Sequence, residues 1–215
     1  MYFHGVHTSI DFMKAIFSVL LFLPALGLAQ SVTIEGLVAK QCAWAEEIDP
    51  EAGPMAVAEG LGHVAMKVED ELAEGRDDLM AALAAEYPDW DSLAVKREFT
   101  IRHTTLLVDS CPHYLALTRV MMPPCPQENA TLLRIAADLE AFYDAHAGEG
   151  YAELFELGNV ELETICTGLG EALKEDFPGG LDDHQTKQAI GMYIMHHVDG
   201  YFKGWMMRDI LRTVH

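Results

Sequence analysis

The sequence predicts an all-α protein, a single globular bundle of about seven to nine helices with a long C-terminal helix at its centre. Three observations predict it. Apolar residues recur at i, i+3 and i+4 spacing along almost the whole chain. No stretch shows the sustained alternation of Val, Ile and Thr that a half-buried strand needs. Hydrophobic residues make up 50% of the 215 positions and charged ones 22%, which suffices for a packed core and is too apolar for a disordered chain.

The first element is a leader. Met13 and Lys14 precede a short apolar run, Ala15 to Leu26, and Gly27, Leu28, Ala29 and Gln30 place small residues at the -3 and -1 positions of a cut after Ala29. Residues 1–29 therefore read as a signal peptide, with Met13 the alternative start because residues 1–12 carry no Lys or Arg. The run falls short of the about 20 apolar residues that span a bilayer. The expectation is a periplasmic or secreted protein whose residues 30–215 form one helical domain, with no stable membrane insertion after cleavage.

Ser31 can cap a first helix to about Glu47, and Asp49, Pro50, Gly53 and Pro54 break the chain. A second helix opens on Pro54 and carries the stripe Val57, Leu61, Val64, Ala65, Val68 and Leu72, with Glu59, His63, Lys67 and Asp70 opposite. Gly75 is read as its end, and Asp77 and Asp78 as the start of a short helix through Glu86. The next helix starts at Pro88 and Asp89 and runs to Cys111 and Pro112. A short one bearing Tyr114, Leu117 and Met121 stops at Pro123, Pro124, Cys125 and Pro126, the one seam in the chain. Leu132, Ile135, Leu139 and Phe142 mark another helix ending near Gly148, and two more centre on Leu154 and on Leu162, Cys166, Leu169 and Leu173. Asp182 and Asp183 then begin a last helix of about 30 residues whose stripe is Ile190, Ile194, Val198, Tyr201 or Phe202, and Trp205. In it Gly200 and Gly204, four apart, offer a side where a neighbour can come close.

Export changes how the cysteines read. Cys42, Cys111, Cys125 and Cys166 all follow the leader, and an even number in an oxidising compartment predicts two disulfides. The helix expected over 112–122 holds Cys111 and Cys125 roughly 16 Å apart, which disfavours joining them. The pairing chosen is Cys42 with Cys111 and Cys125 with Cys166.

Charge and motifs bound the function. Asp and Glu number 34 against 14 Lys and Arg, a formal charge of -20, so nucleic acid and anionic lipid are poor partners and a basic protein is a good one. The chain lacks Cys-x-x-Cys, Glu-x-x-His, His-Glu-x-x-His, a Gly-rich phosphate loop and Gly-x-Ser-x-Gly, so no catalytic machinery is legible and no cofactor is called for. An enzyme would have to assemble its site from scattered groups such as Arg102, His103 and Asp109. The local basic excess of Lys96, Arg97, Arg102, His103 and Arg119 is read as internal compensation, since Glu98 and Arg102 are i, i+4 partners. The leading expectation is an exported, non-enzymatic protein-binding or accessory factor with an acidic surface. The alternative is a copper or haem binder using Met192 and His196, which share a face of the last helix with Asp199 and Lys203. Two features oppose it: Lys203 repels a cation, and His196 and His197 point about 100° apart on a helix.

Overall fold

The computed structural model describes residues 32–213. The leader expected over 1–29, and Ser31, lie outside the described residues. Among the described residues the protein is all-α, with nine α-helices and two single-turn 3-10 segments. These group into two compact units divided between Met122 and Pro123, at the proline-rich turn. The first comprises residues 32–122, with the chain from Ile210 onward added to it, and the second is Pro123–Asp209.

The N-terminal unit contains α1 (Ile34–Ala45), a 3-10 turn (Pro50–Ala52), α2 (Pro54–Glu86), α3 (Ser92–Ser110) and α4 (Pro112–Val120). Thr33 caps α1, its hydroxyl accepting the Gly36 N–H at 3.0 Å. The chain expected to stop at Gly75 does not stop, and α2 is one helix of 33 residues. Its buried stripe Val57, Leu61, Val64, Val68 and Leu72 continues in register through Gly75 to Leu79 and Leu83. Gly75 is thus a buried member of the stripe, and burial of the residues beyond it outweighs the about 1 kcal/mol that a helical Gly costs. The expected start of the next helix at Pro88 and Asp89 is instead a turn, where the Trp90 N–H donates to the Tyr87 carbonyl at 3.0 Å. Asp91 then caps α3 by accepting from the N–H groups of Leu93 and Ala94 at 3.0 and 2.8 Å. Helices α1, α2 and α3 pack on one another. A disulfide joins Cys42 on α1 to Cys111 at the α3–α4 joint, with Cα atoms 5.5 Å apart.

The C-terminal unit contains α5 (Ala130–Ala145), α6 (Tyr151–Gly168), α7 (Gly170–Asp176), a 3-10 turn (Gly180–Asp182), α8 (His184–His197) and α9 (Asp199–Thr213) up to Asp209. Asn129 caps α5 through the Leu132 N–H, and Asp183 caps α8 through the Thr186 N–H, both at 2.8 Å. Thr186 also donates its hydroxyl to Asp183, and these bonds hold the Asp183 carboxyl below its ordinary range.

Three expectations fail in this unit. The helices expected around Leu154 and around Leu162 to Leu173 divide instead at Leu169, so Leu154, Leu162 and Cys166 share the one helix α6. The long C-terminal helix is broken at Val198, whose backbone is extended (φ -109°, ψ 100°) between α8 and α9. Val198 serves both helices: its N–H donates to Ile194 at 2.8 Å, and its carbonyl accepts from Phe202 at 3.1 Å. A β-branched residue favours that extended geometry. Ile194, Val198, Tyr201 and Phe202 are all buried, so the apolar pattern runs across the break and hides it from a periodicity reading. The second disulfide is also absent, for Cys125 and Cys166 are separate thiols. Cys166 sits on the buried stripe of α6 beside Leu162, whereas Cys125 is exposed in the proline-rich turn. Counting cysteines carried no information on that difference of environment.

Close approach at the glycines is real. A Cβ on Gly200 would lie 2.4 Å from Cδ1 of Tyr143, and one on Gly204 2.9 Å from the Tyr151 carbonyl oxygen. Tyr143 on α5 is pressed from the other side by Gly158 of α6, where a Cβ would meet its hydroxyl at 2.1 Å. Its O–H donates to the Leu154 carbonyl at 3.3 Å. Three helices therefore meet around one tyrosine ring that two glycines admit.

Candidate functional site

The residues singled out from sequence fall in different places. On α3, Arg102 is engaged by Glu98 and Glu86 at 2.8 and 2.9 Å and by the Tyr87 hydroxyl, with Glu98 and then Glu86 holding its guanidinium firmly charged. His103, the next residue, faces inward at 4% exposure and stacks on Phe99. Burial alone lowers its pKa to about 4, and its Nε2 has no hydrogen-bond partner. Asp109 is exposed. Arg102, His103 and Asp109 thus do not converge, and the basic excess is consumed in part by its own acids.

The end of α8 and the turn Pro123–Glu128 form a second constellation, and here the structure rearranges the expected ligands. Met192 is buried, and the His196 Nε2 lies 2.9 Å from the Pro123 carbonyl. A carbonyl only accepts, so Nε2 carries the proton and metal ligation by His196 is left to Nδ1. His197, the neighbour, meets Cys125: Sγ and Nε2 are 3.4 Å apart. The Tyr193 ring stacks on His197 at 4.2 Å, and the Tyr193 hydroxyl donates to Glu128 at 3.1 Å. Burial, and then the Glu128 carboxylate, push the Cys125 thiol up. An activated thiolate nucleophile needs the opposite shift. Among the described residues no three or more His, Cys, Asp and Glu side chains are grouped closely enough to hold a metal ion.

The third feature is a surface that sequence reasoning passed over. Large apolar side chains stand in solvent on acid-bearing helices. On α2 these are Met55 at 87% and Met66 at 52% exposure, with Glu59 and Asp70 each four residues further on. On α6 they are Leu157 at 47% and Val160 at 66%. Helix α6 contains Glu153, Glu156, Glu161 and Glu163 and no Lys or Arg. Placing α6 on a helical wheel from its buried stripe Leu154, Gly158, Leu162 and Cys166 finds Leu157 and Val160 off that stripe, so the signal was present in the sequence. No helix among the described residues is long and apolar enough to cross a membrane. In comparisons with protein-family models, curated proteins and solved structures, nothing matches the chain.

Proposed function

We propose that this is an exported protein-binding or accessory factor whose acidic helical surface engages a basic partner protein. One observation carries the reading: Met55, Met66, Leu157 and Val160 are exposed on helix faces that also bear carboxylates. Solvated carboxylates steer a cationic partner toward the surface, and exposed apolar groups supply the area that is desolvated once it arrives. The excess of acids over bases, 34 to 14, extends that attraction over the whole molecule. The Cys42–Cys111 disulfide is in keeping with an oxidising compartment, periplasmic or extracellular.

Photo-crosslinking in the host cell tests this reading, with a benzophenone side chain at Met55, at Val160 and, as control, at the exposed Glu175. Adducts to proteins rich in Lys and Arg from Met55 or Val160, and none from Glu175, are expected. Equal yields from all three positions, or adducts only to acidic proteins, refute it.

One observation favours a second reading, a copper site: Cys125 and His197, with sulfur and imidazole nitrogen 3.4 Å apart, are donors that suit Cu(I) once the thiol is deprotonated. It replaces Met192 and His196 as the ligand pair. Retention of Cu(I) against a chelating dye, lost on Cys125→Ser and on His197→Ala, is its expected signature. Equal retention by Cys125→Ser removes it.

A further inference from the structure

The exposed face of α6 is more specific than a generally acidic surface. Leu157 and Val160 are one helical turn apart, Glu153 lies one turn before Leu157, Glu156 and Glu163 line one flank and Glu161 the other. Thr164 and Thr167 continue the row. Their hydroxyls donate to the helix's own carbonyls at Val160 and Glu163, at 3.0 and 2.7 Å, so no hydroxyl hydrogen is left for a partner. Two apolar side chains and two such threonines thus form a ridge with carboxylates on both sides and no base in the helix.

We propose that this ridge docks a cationic amphipathic helix of the partner protein. The inference rests on the basic-partner reading and narrows it to one face and one form of partner. Charge complementarity selects Lys and Arg for the flanks, and Leu157 and Val160 select an apolar stripe between them. The backbone selects the helix: within α6 the N–H and C=O groups are paired along the helix, so the face has no edge to which an extended peptide can add as a strand. A segment arriving here must satisfy its own backbone, which a helix does. The apolar area is small, so the contact is transient and salt-sensitive rather than permanent.

Fluorescence anisotropy of a labelled synthetic helix tests this on the full-length protein. The probe carries Leu at i, i+3 and i+7 with Lys and Arg on both flanks, and a scrambled peptide of the same composition is the comparison. The designed helix is expected to bind about tenfold more tightly than the scrambled one, a difference of about 1.4 kcal/mol. Val160→Glu, and the pair Glu156→Lys with Glu163→Lys, are each expected to weaken it about tenfold, while Glu175→Lys leaves it within about twofold. Val160, Glu156, Glu163 and Glu175 are all exposed, so these variants are expected to keep the fold. Equal binding of the two peptides, or no effect of Val160→Glu, overturns the docking site. If crosslinks to a basic protein then arise from Met55 and not from Val160, the general reading stands and this one falls; if they arise from neither, both fall.

Discussion

Replacing Gly200 by Ala sets two effects of known size against each other. In a helix Ala is favoured over Gly by about 1 kcal/mol, and Gly200, in the first turn of α9, realises at most that amount. Against it stands the Tyr143 ring, whose Cδ1, Cγ and Cβ would lie 2.4, 2.5 and 2.8 Å from the new methyl. Carbon atoms rest at about 3.5–4.0 Å, so the overlap exceeds about 0.7 Å at three atoms of one side chain. Tyr143 has little room to retreat: it is buried, Gly158 presses its far end, and its hydroxyl is bonded to Leu154. Overpacking of this kind costs about 1–3 kcal/mol, so its upper half outweighs the propensity gain. The expected net destabilisation is about 1–2 kcal/mol, measured as a lower urea midpoint at unchanged slope. A matched control is Gly62→Ala inside α2, where a Cβ meets nothing within 4 Å. That change is expected to stabilise by about 0.5–1 kcal/mol. In a Tyr143→Ala background the penalty at Gly200 is expected to shrink or reverse, a coupling of about 1–2 kcal/mol. If Gly200→Ala raises the midpoint as Gly62→Ala does, the tyrosine clasp is not what the glycine serves.

Acid should weaken the protein through His103. The unfolded chain takes up this proton below pH 6.5, whereas the folded state does so only near pH 4, so the contribution is complete above 6.5 and is lost as pH falls toward 4, by about 3 kcal/mol in all. Urea titrations at pH 7.5 and 4.5 are expected to show a smaller difference for His103→Leu than for the wild type; an equal difference refutes the assignment. Reducing the Cys42–Cys111 bond, which closes a loop across 69 positions, is expected to lower the stability of the N-terminal unit by about 4 kcal/mol on the chain-entropy account. A negligible shift on reduction would count against that account. Finally, a thiol reagent should modify the exposed Cys125 in the native protein and the buried Cys166 only on unfolding, its thiol being pushed up to about 11 by burial first and Glu163 second. Two equally fast thiols, read by mass spectrometry of the labelled peptides, would contradict the separation of environments.

Periodicity of apolar residues by itself determined the all-α class, because each amphipathic stripe states which face of its helix must leave water. It also determined the placement of most elements, the close approach at Gly200 and Gly204, and the seam at Pro123, since small residues and prolines act through local geometry. Chain continuity escaped it at Gly75, between Leu154 and Leu162, and at Val198. Whether a glycine ends a helix or sits in its buried stripe, and whether one residue between two stripes is extended, depends on what packs against each side. The cysteines and the α8 ligands escaped it for the same reason. Cys125 meets His197 across 72 positions, and His196 instead meets the Pro123 carbonyl, because the turn at Pro123–Glu128 folds back on the end of α8. Burial decided the rest: it separated Cys166 from Cys125, whereas the exposure of Leu157 and Val160 was already readable from their place off the apolar stripe of α6.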